Sequence, residues 1–175
     1  MRVTGTILAL DLATNTGWCA GQPAEPNPRF GHFTIPPTQD DVGRFGIIFE
    51  DWLNETIDDL APALVNFEAP ILPKQTQPMT VRKLTGLTLL TEMICRKRNI
   101  ACRETRASTV KKHFAGSGRA EKSDTMAVCR RYGWRVRTSD EADACALWVY
   151  SVSCFGPDEA RARFELGPLG ARQLF

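Results

Sequence analysis

The sequence has no CxxC pair and no cysteine–histidine group at zinc-ligand spacing, although it contains six cysteines: Cys19, Cys95, Cys102, Cys129, Cys145 and Cys154. They sit mostly inside apolar or helical patterns, so reduced, buried thiols are expected, as in a cytosolic protein. No run of 18 apolar residues occurs, and no membrane-spanning helix is expected. The opening MRVTGTILALD has one arginine, passes directly into a strand pattern and lacks a small-residue cleavage site, so it does not read as a signal peptide. Internal repeats, low-complexity tracts and linker-like stretches are also missing. A length of 175 residues then suits one domain with a real core, taken as 1–155, followed by a short helix or tail over 156–175.

Net charge is small, at +2, but unevenly placed. Thirteen basic residues fall within 96–137 against three acids, Glu104, Glu121 and Asp124, which makes that segment +10 and the remainder −8. Such asymmetry fits either a polyanion-binding region or a solvated basic face.

The pattern of elements is mixed. Residues 7–11 (ILALD) read as a short apolar strand ending in a carboxylate. A tight turn over 14–17 leads to a strand at 17–20, and FGHFTI at 30–35 alternates as a third strand stopped by Pro36 and Pro37. Asp40 and Asp41 can cap a helix running to Leu60, in which Phe45, Ile48, Phe49, Trp52, Ile57 and Leu60 form one stripe. LVNFE at 64–68 is a fourth strand ending in a carboxylate. A helix over 80–98 carries Val81, Leu84, Leu87, Leu90, Met93 and Ile94 on one stripe, with Gly86 and threonines giving a small surface suited to core packing or to a partner helix. A fifth strand at 100–103 follows, then helices at 108–114, 121–132 and 140–154, the last capped by Ser139. This order mixes antiparallel and crossover connections, which predicts an α/β fold with a mixed five-stranded sheet flanked by helices.

Acids stand at the ends of apolar elements in three places: Asp11, Glu68, and the pair Asp140 and Asp143. The last two are three residues apart and share a helix face, and the ALWVY that follows packs that helix on the body of the fold. Taken singly, each acid reads as a turn-former, a helix cap or an exposed strand end. Four gathered acids repel one another, and a hard divalent cation with oxygen ligands removes that conflict. Two such ions can activate a water and stabilise the leaving oxygen of a phosphodiester.

The motifs themselves resemble a known family. ILALDLATNTGW resembles the first strand of RuvC-type Holliday junction resolvases, in the RNase H-like superfamily, and VNFEAP resembles the strand that carries the family's glutamate. TVKKHFAGSGRAEK resembles its basic V-K…G-x-G-x-A-x-K segment, and DEADACAL its C-terminal acidic helix. The four occur in the family's order across roughly 7–150. The TNTGW wording resembles phage or prophage members. The resemblance implies an RNase H-like fold, metal-binding catalytic roles for Asp11, Glu68, Asp140 and Asp143, and two Mg²⁺ ions per site with Mn²⁺ as a substitute. It implies a catalytic role for Lys122 close to the scissile phosphate, and DNA contacts from Lys111, Lys112, Arg119 and Lys122. It further implies a homodimer, for which 80–98 is the natural contact helix, cutting four-way junctions to leave 5′-phosphate and 3′-hydroxyl ends in a bacterial cytoplasm. One departure stands out. Where members often carry an aromatic wedge after the glutamate strand, this chain has Ala69, Pro70, Ile71 and Leu72, so only an apolar wedge is available. The alternatives are another RNase H-like nuclease (a ribonuclease H or an exonuclease) and a catalytically weak junction-binding protein. An actin-like sugar-kinase relative needs a second, duplicated domain for which 175 residues leave no room.

Overall fold

The computed structural model describes residues 1–71 and 75–165. Five strands, β1 (Ile7–Asp11), β2 (Asn15–Gly21), β3 (Arg29–Thr34), β4 (Leu64–Glu68) and β5 (Ala101–Thr105), form one sheet in the order β3-β2-β1-β4-β5. The first three make an antiparallel meander, while β1, β4 and β5 run parallel. Six helices are α1 (Val42–Leu60), α2 (Pro78–Lys97), α3 (Ala107–Ala115), α4 (Lys122–Arg131), α5 (Ser139–Phe155) and α6 (Asp158–Glu165). The mixed five-stranded α/β sheet expected from the element pattern is present, and its boundaries agree with the sequence reading to within a few residues.

β1 lies in the middle of the sheet with helices on both faces, which is why its sequence is a continuous apolar run rather than an alternation. Ile7 and Ala9 point into a core built around Cys145, Trp148, Trp134 and Phe164. Leu8 and Leu10 point the other way, into a core with Phe45, Phe49, Leu53 and Leu87 from α1 and α2. The period-2 rule then assigns Asp11 to the face of Ile7 and Ala9, the face covered by α5. β4 behaves identically. Leu64 belongs to the α5-side core and Val65 and Phe67 to the other, so Glu68 also faces α5.

α5 is apolar all round, from Ala144 to Val149, because it is sandwiched between the sheet and α3, α4 and α6. α6 adds Ala160 and Phe164 to that core, Phe164 meeting Trp148 edge-on at 5.8 Å. Polar ties fix α5 on the sheet. Trp148 Nε1 donates to the Gly21 carbonyl at 3.3 Å. Deep in the interior, Asn66 Nδ2 donates to Ser151 Oγ at 2.8 Å while Asn66 Oδ1 accepts from Thr105 Oγ1 at 3.0 Å. Ser151 Oγ completes the chain by donating to the Leu147 carbonyl at 2.6 Å. An asparagine inside an apolar strand is tolerable only when satisfied in this way.

Three details depart from the sequence reading. The turn after β1 is shorter than expected: β2 already begins at Asn15, so Asn15 and Thr16 join Gly17 in the strand, and Thr16 is buried with its hydroxyl donating to the Ala13 carbonyl at 2.8 Å. The α5 cap is Thr138, whose hydroxyl accepts from the Glu141 N–H at 3.1 Å, and not Ser139. On α2, Met93 leaves the core stripe and is exposed, its place taken by Thr91 and Cys95. The aligned threonines satisfy themselves locally, Thr91 Oγ1 donating back to the Leu87 carbonyl at 2.8 Å, so a polar residue is buried cheaply there.

Replacing Asn66 with Ala takes away the acceptor of the Thr105 hydroxyl and the donor to Ser151 Oγ. The expected loss is about 1–3 kcal/mol, a fall of roughly 3–9 °C in melting temperature, read by circular dichroism.

Candidate functional site

At the C-terminal end of the parallel strands, neighbouring β1 and β4 finish in Asp11 and Glu68 on the same face. The N-terminus of α5 is brought against this spot by a missing side chain. Gly17 is the register partner of Asp11, and a Cβ placed on it would lie 2.0 Å from the Asp140 carbonyl oxygen. Only glycine lets the helix backbone approach the sheet this closely. The first turn of α5 therefore delivers Asp140 and Asp143 beside Asp11.

The electrostatics record that convergence. Burial pushes the Asp11 carboxyl well above the usual carboxylate range, and the charges of Glu68, Asp143 and Asp140 push it further, with Lys122 opposing. Glu68 is raised to about 7 by burial and by Asp143, with Lys111 opposing. Asp143 is raised by burial and by Asp140, against Lys111 and Lys122. Three of the four acids thus lie in mutually unfavourable positions that two lysines only partly relieve.

The lysines arrive from either side of a glycine turn. Lys111 is on α3, which ends at Gly116 in the left-handed region (φ 82°), where other residues are strained. Lys122 starts α4, and its ammonium donates to Ser139 Oγ at 3.2 Å, while that hydroxyl donates to Asp140 Oδ1 at 3.3 Å. Lys112 and Arg119 are exposed, outside this group of interactions. Of the stretch expected to hold a wedge, Ile71 is 68% exposed, and Leu72 lies outside the described residues.

Oxygen-only donors at a strand end, short of positive charge, suit a hard divalent cation such as Mg²⁺. Among the described residues, no three His, Cys, Asp or Glu side chains close into a ready-made ligand group. The donor chemistry fits the metal, and Asp11 feels the charges of the other three acids.

No protein-family model matches the chain, and no curated protein matches it in sequence. Solved structures do. Thermus thermophilus RuvC aligns with a TM-score of 0.60 at 19% identity, over 81% of this chain and 90% of that one. T. thermophilus RuvC in complex with a Holliday junction substrate gives 0.62 at 19% identity, over 82% and 90%. The yeast mitochondrial Holliday junction resolvase gives 0.68 at 12% identity, over 100% of this chain and 86% of its own. The chain has the RuvC-type, RNase H-like fold.

Within that fold, two features of the site went unread in the sequence. Gly17 reads in the sequence as the junction of a turn and a strand, and nothing local marks it as the seat of a helix. Glu141, between Asp140 and Asp143, was passed over although it lies four residues before Cys145 and so on a buried side of α5. It is 1% exposed, and it accepts from the Arg137 N–H at 2.6 Å and from His32 Nδ1 at 2.9 Å. Burial opposes its ionisation, yet these donors and the Arg137 charge hold it below the usual range.

The raised carboxyls have a consequence for pH. A carboxyl that binds protons more tightly folded than unfolded destabilises the fold as pH rises from its unfolded to its folded value, here about 4.5 to about 7 for Glu68. In metal-free protein, Asp11→Asn and Glu68→Gln should each raise the melting temperature at pH 7.5 by roughly 3–6 °C, about 1–2 kcal/mol, and the gain should shrink at pH 5. Calorimetry at the two pH values checks this.

Proposed function

We propose that the protein is a metal-dependent, structure-selective endonuclease that resolves Holliday junctions and related branched DNA by hydrolysing phosphodiesters. The observation that carries this reading is the gathering of Asp11, Glu68 and Asp143, all with raised proton affinity, between Lys111 and Lys122 at one end of the sheet. Of the structures that share the fold, the yeast mitochondrial protein is a Holliday junction resolvase, and one T. thermophilus RuvC structure contains a Holliday junction substrate.

In this reading Asp11, Glu68, Asp140 and Asp143 hold two Mg²⁺ ions, with Mn²⁺ as a substitute. When bound, such ions lower the pKa of a water and stabilise the leaving oxygen of an in-line displacement. Asp11 is buried at the end of β1 and feels the charges of Glu68, Asp143 and Asp140, so these four would hold the metal together. Lys122, fixed through Ser139 to the start of α5, offsets charge on the phosphate under attack. Lys111 neutralises the Glu68 side. Lys112 and Arg119, exposed beyond them, bind phosphates further along the duplex arms, so affinity falls steeply with salt. The products carry 5′-phosphate and 3′-hydroxyl ends. A bacterial cytoplasmic setting in a phage or prophage context is part of the proposal and rests on the sequence resemblance alone.

Two strands of a junction need two sites, and α2 supports a homodimer. Leu89 and Met93 are 56% and 42% exposed on it, and the Gly86 side is open, while Ile47 of the adjoining α1 is 59% exposed.

Synthetic four-way, Y-shaped and duplex DNA and an RNA–DNA hybrid, each with Mg²⁺, test the activity. Cleavage is expected for the branched DNAs; cleavage of the hybrid alone would favour a ribonuclease H. Asp11→Asn or Asp143→Asn should abolish cutting while junction binding persists in Ca²⁺, and full cleavage by either variant would overturn the assignment. Leu89→Glu combined with Met93→Glu should convert dimer to monomer in sedimentation at micromolar protein, reducing paired cuts more than single nicks.

A further inference from the structure

Glu141 lies between two candidate metal ligands and yet is not available to bind a metal. Oε2 accepts the Arg137 N–H at 2.6 Å and Oε1 faces His32 Nδ1 at 2.9 Å, with Arg137 Nε 3.7 Å away. The side chain is 1% exposed, whereas His32 is 37% exposed. Its place in the sheet gives the pair a specific reach. His32 on β3 is the register partner of Gly17 on β2, and Gly17 is the register partner of Asp11 on β1. His32, Gly17 and Asp11 therefore form one row across the sheet, and α5 crosses that row at Asp140.

The contact at the middle of the row is backbone against backbone, since Gly17 has no side chain. Such a contact permits close approach but supplies no interlocking shape to stop the helix sliding or rotating. A helix advances 1.5 Å and turns about 100° per residue, so a small slip carries Asp140 and Asp143 away from Asp11. The hydrogen bonds at Trp148 and Ser151 that tie α5 to the sheet lie more than a turn further along. At the first turn, the sheet holds the helix through Glu141 and His32.

We propose that Glu141 and His32 are a positioning pair that sets the register of Asp140 and Asp143 against Asp11, and thereby the divalent-cation affinity of the site. This rests on the metal-dependent reading above. Neither residue touches the reacting atoms. They act through the two α5 carboxylates, as outer partners of metal ligands commonly do.

The test uses the full chain without DNA, with Mn²⁺ binding measured by titration calorimetry alongside the Mg²⁺ dependence of four-way junction cleavage. His32→Ala and Glu141→Ala should weaken Mn²⁺ binding about tenfold and raise the Mg²⁺ needed for half-maximal cleavage by a similar factor, with cutting restored at high Mg²⁺. Glu141→Gln keeps an acceptor for the Arg137 N–H and should stay within about threefold of wild type. Should Glu141→Ala fail to fold, His32→Ala carries the test, because His32 is partly at the surface. A purely structural role would lower the melting temperature and leave Mn²⁺ affinity unchanged; that result in folded His32→Ala overturns the pair while wild-type cleavage leaves the nuclease reading standing. A wild-type protein that neither binds Mn²⁺ nor cuts the junction overturns both.

Discussion

Repulsion among carboxylates is the constraint around which this molecule is arranged. Asp11, Glu68 and Asp143 each hold their protons more tightly than a solvated acid, chiefly because they are buried and secondarily because they face one another. Left to itself, such a group would disperse or protonate. It is kept together by parts of the fold that carry no charge. The two-sided apolar sheet forces the last residues of β1 and β4 onto one face, and α5, apolar around its whole circumference, has nowhere to go but the interior. The unfavourable acids are thus a local cost offset by a large, well-packed core on both sides of the sheet.

The same principle explains where polar groups are admitted. Asn66 and Glu141 are the interior polar side chains that join β4 and β3 to α5, and each is satisfied on both sides of its headgroup. An unsatisfied amide or carboxylate there would cost as much as the contacts around it provide. Their directional bonds complement apolar packing, which sets how closely α5 lies on the sheet but is weak at setting its rotation. With the clustered acids unfavourable to one another, directional ties at the first turn matter more than they would in an ordinary helix.

The basic segment divides into distinct uses when placed in space. Lys111 and Lys122 enter the acidic cluster and temper it. Arg98 is bound to Asp58 and Asn54 on α1, joining the two helices on the far side of the sheet. Arg137 frames Glu141. Lys112 and Arg119 stay exposed. A single net charge of +10 over forty-two residues therefore mixes residues that temper the acids, residues that tie helices together and residues left exposed.

By itself, the sequence determined the elements and the candidate acids. An apolar run ending in Asp11, a second ending in Glu68, and acids opening an apolar helix are local patterns, and local patterns follow from burial and periodicity. Helix spacing even implied that Asp140 and Asp143 would share a face. Tertiary structure decided what no local pattern encodes: which of two adjacent lysines enters the acidic group, whether Gly17 bends the chain or admits a helix, and what satisfies Asn66 and Glu141. Each depends on partners far along the chain, 109 residues away for Glu141 and His32. A glycine, an asparagine or a glutamate in one dimension signals only that something must approach or pair with it. The identity of that partner exists only once the sheet and α5 are packed together.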